Sequence, residues 1–182
     1  FFGLMLYILV AQCNAASIGF NPSSSNIFAG QDFSIDVTVS GVTDLSSFGF
    51  NLSTNSFATW DGSPTIGSLF VDDTSLPGAP GAPDVAGSIP FLSPLLTTTG
   101  TESILLATLN FHADFEGIFI LNLFSDKGSS IFEGLYEGNP FNPFSTVVTS
   151  NIISVAEFNI GAAQVPEPPV ILIMLLGLLG LA

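Results

Sequence analysis

Residues Gln31 to Ser40 read QDFSIDVTVS, and this stretch decides the fold class. The positions between its apolar residues hold Ser, Asp or Thr. Apolar side chains occupy every second position: Phe33, Ile35, Val37 and Val39. A period of two is typical of a β-strand that buries one face and exposes the other. The stretch therefore predicts a half-buried strand.

Other stretches extend this pattern along the chain. Phe48 to Leu52 and Ala107 to Phe115 alternate in the same way, and Thr146 to Phe158 supplies one or two closing strands. Ile118 to Phe124 is apolar at nearly every position, which predicts a central strand covered on both faces. Turn residues separate these runs, and residues 17–160 show no convincing 3.6-residue period. We therefore expect an all-β domain, a β-sandwich, over residues 17–160.

Two stretches of this domain do not alternate. Ser75 to Pro90 contains four prolines and predicts a long surface loop. Phe91 to Leu106 shows neither the two-residue period of a strand nor the 3.6-residue period of a helix. The sequence is compatible with a short helical turn there.

The charge of the chain is strongly one-sided. Fifteen acidic residues stand against one basic residue, Lys127, and one histidine, His112, for a formal net charge of −14. Contacts with nucleic-acid phosphate or anionic lipid headgroups need clusters of Lys or Arg. The composition therefore excludes nucleic-acid-binding proteins, and it also argues against enzymes that depend on an arginine clamp or a P-loop lysine.

Both ends of the chain are strongly apolar. Phe1 to Val10 reads FFGLMLYILV and leads into small residues, a pattern typical of a secretory signal peptide over residues 1–16. No basic region or initiator Met precedes it, so we expect the sequence to begin inside that signal. Val170 to Ala182 is an uncharged run of 13 residues, shorter than the roughly 20 that a membrane-spanning helix needs. We expect it to be a hydrophobic transmembrane helix truncated at its end.

The residues just before this run carry a resemblance. Val165, Pro166, Glu167 and Pro168, followed by the Leu-rich tail, resemble the PEP-CTERM sorting signal of exported proteins from exopolysaccharide-producing Gram-negative bacteria. The resemblance covers residues 161–182 and implies processing by an exosortase. It also implies transient anchoring in the inner membrane and delivery to the cell surface or extracellular matrix.

The order of the predicted strands carries a second resemblance. The strand that follows Ala29 leads into Phe48-Gly49-Phe50-Asn51-Leu52, and Ala107 to Ala113 later precedes a Gly-bounded strand and a closing Val/Ile strand. This order resembles the cohesin domain and the related carbohydrate-binding sandwiches of jelly-roll type. The resemblance implies adhesion to proteins or matrix components. Ser53-Thr54 replaces the usual Tyr-Asp pair of the family, a departure that bears on dockerin-type recognition more than on the fold.

The sequence selects no catalytic residue. His112 is the only candidate base, and Asp114 lies two residues away on the same face of the predicted strand, where it is placed to orient the imidazole. The favoured interpretation is a solvent-facing histidine on the strand. Because the single cysteine, Cys13, lies in the predicted signal peptide, a zinc site is excluded. No motif selects a pair of carboxylates for hydrolysis.

Two kinds of binding residue are singled out. Trp60, beside Asp61 in a turn-like stretch, is the candidate for stacking on a sugar ring. The candidate calcium ligands are Asp72, Asp73 and Asp126, although no complete calcium-loop motif is present. No other cofactor is expected.

These features predict a non-enzymatic protein exported to the cell surface or extracellular matrix. An exosortase would process it, and extracellular polysaccharide or matrix proteins would be its partners. The membrane would be involved only through the terminal segments. The alternative is a carbohydrate-binding module that assists polysaccharide processing.

Overall fold

The computed structural model describes residues 16–74, 83–90, 92–125, 133–138, 147–150 and 152–163. Every regular element within these residues is a β-strand. The described part holds no helix long and apolar enough to cross a membrane. Residues 1–15 of the predicted signal peptide, the predicted sorting motif and the predicted C-terminal helix lie outside the described residues.

The first sheet, sheet 1, is built around its two longest strands, β3 and β9. Its strand order is β1-β3-β9-β5, all antiparallel, and the short strand β6 also pairs with β9. The bounds are β1 Ser17–Pro22, β3 Asp32–Ser40, β5 Ala58–Trp60, β6 Thr65–Ile66 and β9 Ile104–Ala113.

The second sheet, sheet 2, packs across the core from sheet 1. Its main path is β12-β11-β4-β10-β13-β2, with β8 also paired to β4 and β7 paired to β8. Only the β13–β2 pair is parallel. The bounds are β2 Ile27–Phe28, β4 Leu45–Thr54, β7 Val71–Asp72, β8 Val85–Ser88, β10 Gly117–Phe124, β11 Gly134–Glu137, β12 Val147–Ser150 and β13 Ile153–Gly161.

The deciding stretch forms the predicted half-buried strand. The four apolar side chains of β3 are at most 6% exposed, while the polar residues between them face outward and are partly exposed. Phe33 lies opposite Phe111 and Ile35 opposite Leu109, so the buried faces of β3 and β9 coincide. This confirms the sandwich pattern inferred from the alternation.

Phenylalanine rings join the two sheets. Phe33 and Phe111 of sheet 1 stack at a centroid distance of 5.5 Å. Phe119 of sheet 2 meets both rings edge-on, at 5.8 and 5.1 Å. Edge-to-face pairs of this kind add about 0.5–1.5 kcal/mol each beyond the area they bury. These three rings therefore fix how one sheet lies on the other.

The prediction of a surface loop over residues 75–90 is wrong for residues 85–88. Residues 85–88 form β8, which pairs with β4, and its residues Val85 and Ala86 are buried. Gly87 packs so closely on the ring of Phe48 that a Cβ there would lie 2.9 Å from it. Small residues therefore allow this strand to lie against the ring, and small residues carry little strand signal in a sequence. Among the described residues of 91–106, Leu96 bridges Leu45 and no helix occurs.

The expectation that β10 is covered on both faces is also wrong. Phe119, Leu121 and Leu123 are buried, but Ile118 is 50% exposed and Phe124 is 37% exposed. The outer face of sheet 2 is thus apolar and open to solvent at these positions.

Removing the ring that bridges the sheets should destabilise the whole domain. We expect Phe119→Ala to lower the free energy of unfolding by about 3–5 kcal/mol, because it leaves a cavity between the sheets. The matched control is Phe115→Ala, since Phe115 is 62% exposed, and a change within about 0.5 kcal/mol is expected there. Denaturant unfolding of the purified variants measures both values, and equal losses would contradict the role given to Phe119.

Candidate binding surfaces

The outer face of sheet 1 carries a polar groove. Because the register places Asp32 opposite His112 and Ser34 opposite Asn110, these side chains share one face of the β3–β9 pair. Strand β5 adds a third row, with Thr59 opposite His112. The resulting cavity has a volume of about 560 Å³. We call it the groove; its polar side chains include Asp32, Ser34, Thr59, Asp61, Asn110 and His112.

Two chain segments form the walls of the groove. On one side, the amide of Ser23 donates to the carbonyl of Ser34, and the Ser23 hydroxyl accepts from the Ser34 amide. On the other side, the Asp61 amide donates to the carbonyl of Asn110. The Asp61 carboxylate in turn accepts from the Ser63 amide at 2.8 Å. Backbone hydrogen bonds therefore hold both walls against the sheet.

His112 is solvent-facing, as predicted, but its partner differs from the one proposed from the sequence. Its Nδ1 lies 2.7 Å from Oδ1 of Asp32, and its side chain is 50% exposed. Asp114, the residue proposed to orient the imidazole, instead accepts a hydrogen bond from the Thr59 hydroxyl at 2.7 Å. Asp32 is 80 positions away along the chain, so only the strand pairing brings it to the histidine.

The hydrogen bond to Asp32 raises the pKa of His112 above its ordinary value. Partial desolvation opposes this effect, and the negative charges of Asp32 and then Asp114 reinforce it. The imidazolium is therefore favoured in the folded state relative to the unfolded chain.

Trp60 lies at the rim of the groove. It pairs in register with the buried Phe111, so its ring lies on the core face of sheet 1, opposite the polar side chains of the groove, and is half-buried. It lines the groove in the same way as the buried Phe33 and Phe111 of the floor. Its indole Nε1 is buried and finds no acceptor among the described residues. Stacking of a sugar on Trp60 stays a prediction.

The outer face of sheet 2 carries a different surface. On this face Phe124 lies directly opposite Ile153, and Val155 lies opposite Asn122. The exposed fractions are 79% for Ile153, 57% for Val155 and 50% for Ile118. We call these four apolar residues, Ile118, Phe124, Ile153 and Val155, the apolar stripe.

The two long borders of the apolar stripe differ. Toward β4 it meets polar groups: the Asn122 side chain donates to the Ser53 hydroxyl at 3.4 Å, and the Asn51 side-chain amide donates to the Glu133 carboxylate at 2.9 Å. On the other side, β13 is paired in the described residues only at Ile160 and Gly161, where it meets β2. The stripe therefore lies beside an open strand edge.

The candidate calcium ligands are not gathered into a site in the described part of the chain. Asp72 accepts a hydrogen bond from the Thr74 amide, and the amide of Asp73 donates to the carbonyl of Ala86. Asp126 lies outside the described residues. No group of three or more His, Cys, Asp or Glu side chains suited to a metal occurs among the residues described. The calcium site stays a prediction from the sequence.

Comparison with known proteins identifies the fold. The seventh type I cohesin of ScaB from Pseudobacteroides cellulosolvens superposes with a TM-score of 0.51 at 9% identity, covering 84% of this chain and 96% of that one. A cohesin module of a family 33 glycoside hydrolase from Clostridium perfringens gives a TM-score of 0.47 at 12% identity, with 81% and 96% covered. No protein-family profile and no curated protein matches the chain. The domain is thus a cohesin-like β-sandwich, as predicted.

The sequence singles out His112 and Trp60 but not the other members of the groove, and it singles out none of the apolar stripe. Asp32, Ser34 and Asn110 carry no signal in the sequence beyond the polar positions of alternating strands. In the apolar stripe, Ile153 and Val155 alternate with Ser154 and Ala156, which is a strand signal that does not say which face is covered. Pairing with the outward-facing side of β10 decides that the larger side chains are exposed.

The pH dependence of His112 provides a test of the groove geometry. Because its folded-state pKa is raised, the protonated histidine stabilises the fold below its ordinary pKa of about 6.5, and this contribution is lost as the pH rises through the folded-state value. Asp32→Ala should lower the pKa of His112, and Asp114→Ala should lower it less, since Asp32 is the larger cause.

Proton NMR titration of the untagged chain measures this pKa directly, because the sequence contains one histidine. A larger drop in the Asp114→Ala variant than in Asp32→Ala would contradict the observed pairing.

Proposed function

We propose that this chain is an exported, non-enzymatic adhesion protein of an exopolysaccharide-producing Gram-negative bacterium. Its cohesin-like domain binds a protein partner in the extracellular matrix. The observation that carries the proposal is the apolar stripe, four large apolar side chains exposed together on the outer face of sheet 2.

Exposed apolar clusters on a folded domain mark interaction surfaces. In the apolar stripe, Ile153 and Phe124 are cross-strand partners and Val155 follows on the same face, so one partner side chain reaches several of them at once. Among the described residues, the edge of β13 away from β10 pairs with another strand only at Ile160 and Gly161, so it offers backbone groups beside these side chains. A partner strand docking there gains backbone hydrogen bonds as well as apolar contact.

The charge of the chain restricts the chemistry of the partner. One lysine stands against fifteen acidic residues, so ion pairs across an interface must draw nearly all their cations from the other protein. Glu157 lies on the same face as the stripe, opposite Ile120. A second copy of this chain would bring like charges together. The partner therefore presents an apolar centre with Lys or Arg at its rim.

A binding role agrees with the fold. The resemblance to the cohesin domain implies adhesion, and this chain has the cohesin-like sandwich. His112, the candidate base, is held by a carboxylate on an open strand face. These features support a protein that binds without catalysing a reaction.

Export and sorting complete the proposal. The apolar segment of residues 1–16 would direct secretion, and Val165-Pro166-Glu167-Pro168 with the apolar tail would be processed by an exosortase. The support for this step is the sequence alone, since both segments lie outside the described residues. A domain of net negative charge delivered in this way suits a hydrated polysaccharide matrix.

Polar substitution of the apolar stripe should abolish adhesion. We expect the double variant Ile153→Ser, Val155→Ser to bind its matrix partner at least about tenfold more weakly, because two contacts each worth over about 1 kcal/mol are lost. The partner is first captured by the wild-type chain from matrix extracts of the producing cells and then purified for affinity measurement.

The matched control is Leu105→Ser, an exposed leucine on sheet 1 opposite Thr38. It should leave affinity for that partner unchanged. Undiminished binding by the double variant would remove the stripe as the adhesion surface.

Sorting is tested in the producing cell. Replacing Glu167 by Ala in the full chain should prevent processing at the motif, so that the protein accumulates in the membrane fraction at its unprocessed mass. Glu116→Ala, which changes an exposed glutamate in a turn of the domain, is the control and should be processed normally. Immunoblots of membrane and matrix fractions measure how much of each protein is processed and released. Normal release of the Glu167→Ala protein would refute the proposal that residues 165–168 are a sorting motif.

A further inference from the structure

We propose that the groove on sheet 1 binds an uncharged sugar residue of a polysaccharide. This binding site is separate from the apolar stripe, because the two surfaces lie on the outer faces of opposite sheets. It therefore adds a second ligand class, a neutral glycan, to the protein partner proposed above.

The groove has the size and order of a formed site. Its volume of about 560 Å³ falls within the roughly 300–1,000 Å³ usual for small-ligand sites. Its floor is the β3–β9 pair, the most extensively paired strands of sheet 1, and its walls are held by the hydrogen bonds of Ser23 and Asp61. Little ordering of the protein is then required when a ligand binds.

The centre of the floor offers free hydrogen-bonding groups. Ser34 and Asn110 lie directly opposite each other, and both are half-buried. Neither the Ser34 hydroxyl nor the Asn110 carboxamide has a hydrogen-bond partner among the described residues. Together they provide donors and acceptors at adjacent positions. Neighbouring sugar hydroxyls, each a donor and an acceptor, match this arrangement.

Two carboxylates at the periphery are already oriented. Asp32 is held by His112, and Asp61 is held by the amide of Ser63. In each case the observed contact uses one carboxylate oxygen, and a carboxylate has about four acceptor positions. Hydrogen bonds from sugar hydroxyls to these charged acceptors are stronger than those to neutral groups.

Charge selects the kind of glycan. The groove contains Asp32 and Asp61, and no lysine or arginine is among the described residues that line it. A uronate, sulfate or phosphate group would therefore meet negative charge on both sides, with His112 already committed to Asp32. Neutral hexoses meet no such repulsion.

The test is retention of the purified chain on immobilised neutral polysaccharides at pH 8, using dextran, galactomannan and xylan, with alginate as the anionic comparison. We expect retention on at least one neutral polymer and none on alginate. Asn110→Ala should weaken binding of the matching neutral oligosaccharide by roughly five- to tenfold, measured by calorimetry.

Asn122→Ala is the matched control, since Asn122 is also a half-buried, outward-facing asparagine in the middle of a strand, but on sheet 2. It should leave sugar binding unchanged, and both variants should keep the wild-type melting temperature.

Three results would each overturn the proposal. These are no retention on all three neutral polymers, equal retention on alginate, and unchanged affinity in the Asn110→Ala variant. The Ile153→Ser, Val155→Ser variant separates the two surfaces. It should keep sugar binding while losing the protein partner, so failure of one proposal can be distinguished from failure of the other.

Discussion

The contact of Phe119 with Phe33 and Phe111 is the interaction on which the rest of the structure depends. Phe33 and Phe111 come from adjacent strands of sheet 1, and Phe119 comes from sheet 2. The predicted cleavage would remove the only cysteine, so no disulfide would support the domain. Apolar contact between two sheets must then provide the stability. The position of this aromatic contact fixes which side chains point inward and which remain outside.

Burial of one apolar row from each sheet leaves the domain with two outer faces of different chemistry. Alternation on β3 and β9 leaves polar residues such as Ser34 and Asn110 outside, because every second residue is committed to the core. On β10 the inward row is equally apolar, but the outward row keeps Ile118 and Phe124. One face is therefore suited to hydrogen bonding and the other to apolar contact.

The excess of negative charge affects ligand choice on both outer faces. With one lysine in the chain, neither surface can neutralise an anionic ligand, and each favours a partner that is neutral or basic. Within the groove, the one ionisable base, His112, is paired with Asp32 and does not offset the surrounding acids. The acidity that excludes nucleic acid and anionic lipid thus also selects between kinds of glycan and kinds of protein partner.

The sequence by itself determined the all-β class, the alternating strands and the excess of negative charge, because period-two patterning and composition are local properties of the chain. It did not reveal β8, whose small residues carry little strand signal, or the partner of His112. Only the tertiary structure decided that Asp32 meets His112, that Ser34 meets Asn110 and that Ile153 and Val155 are exposed. Alternation along one strand tells which of its residues share a face, but which residue of a distant strand lies opposite is decided only when the strands pair.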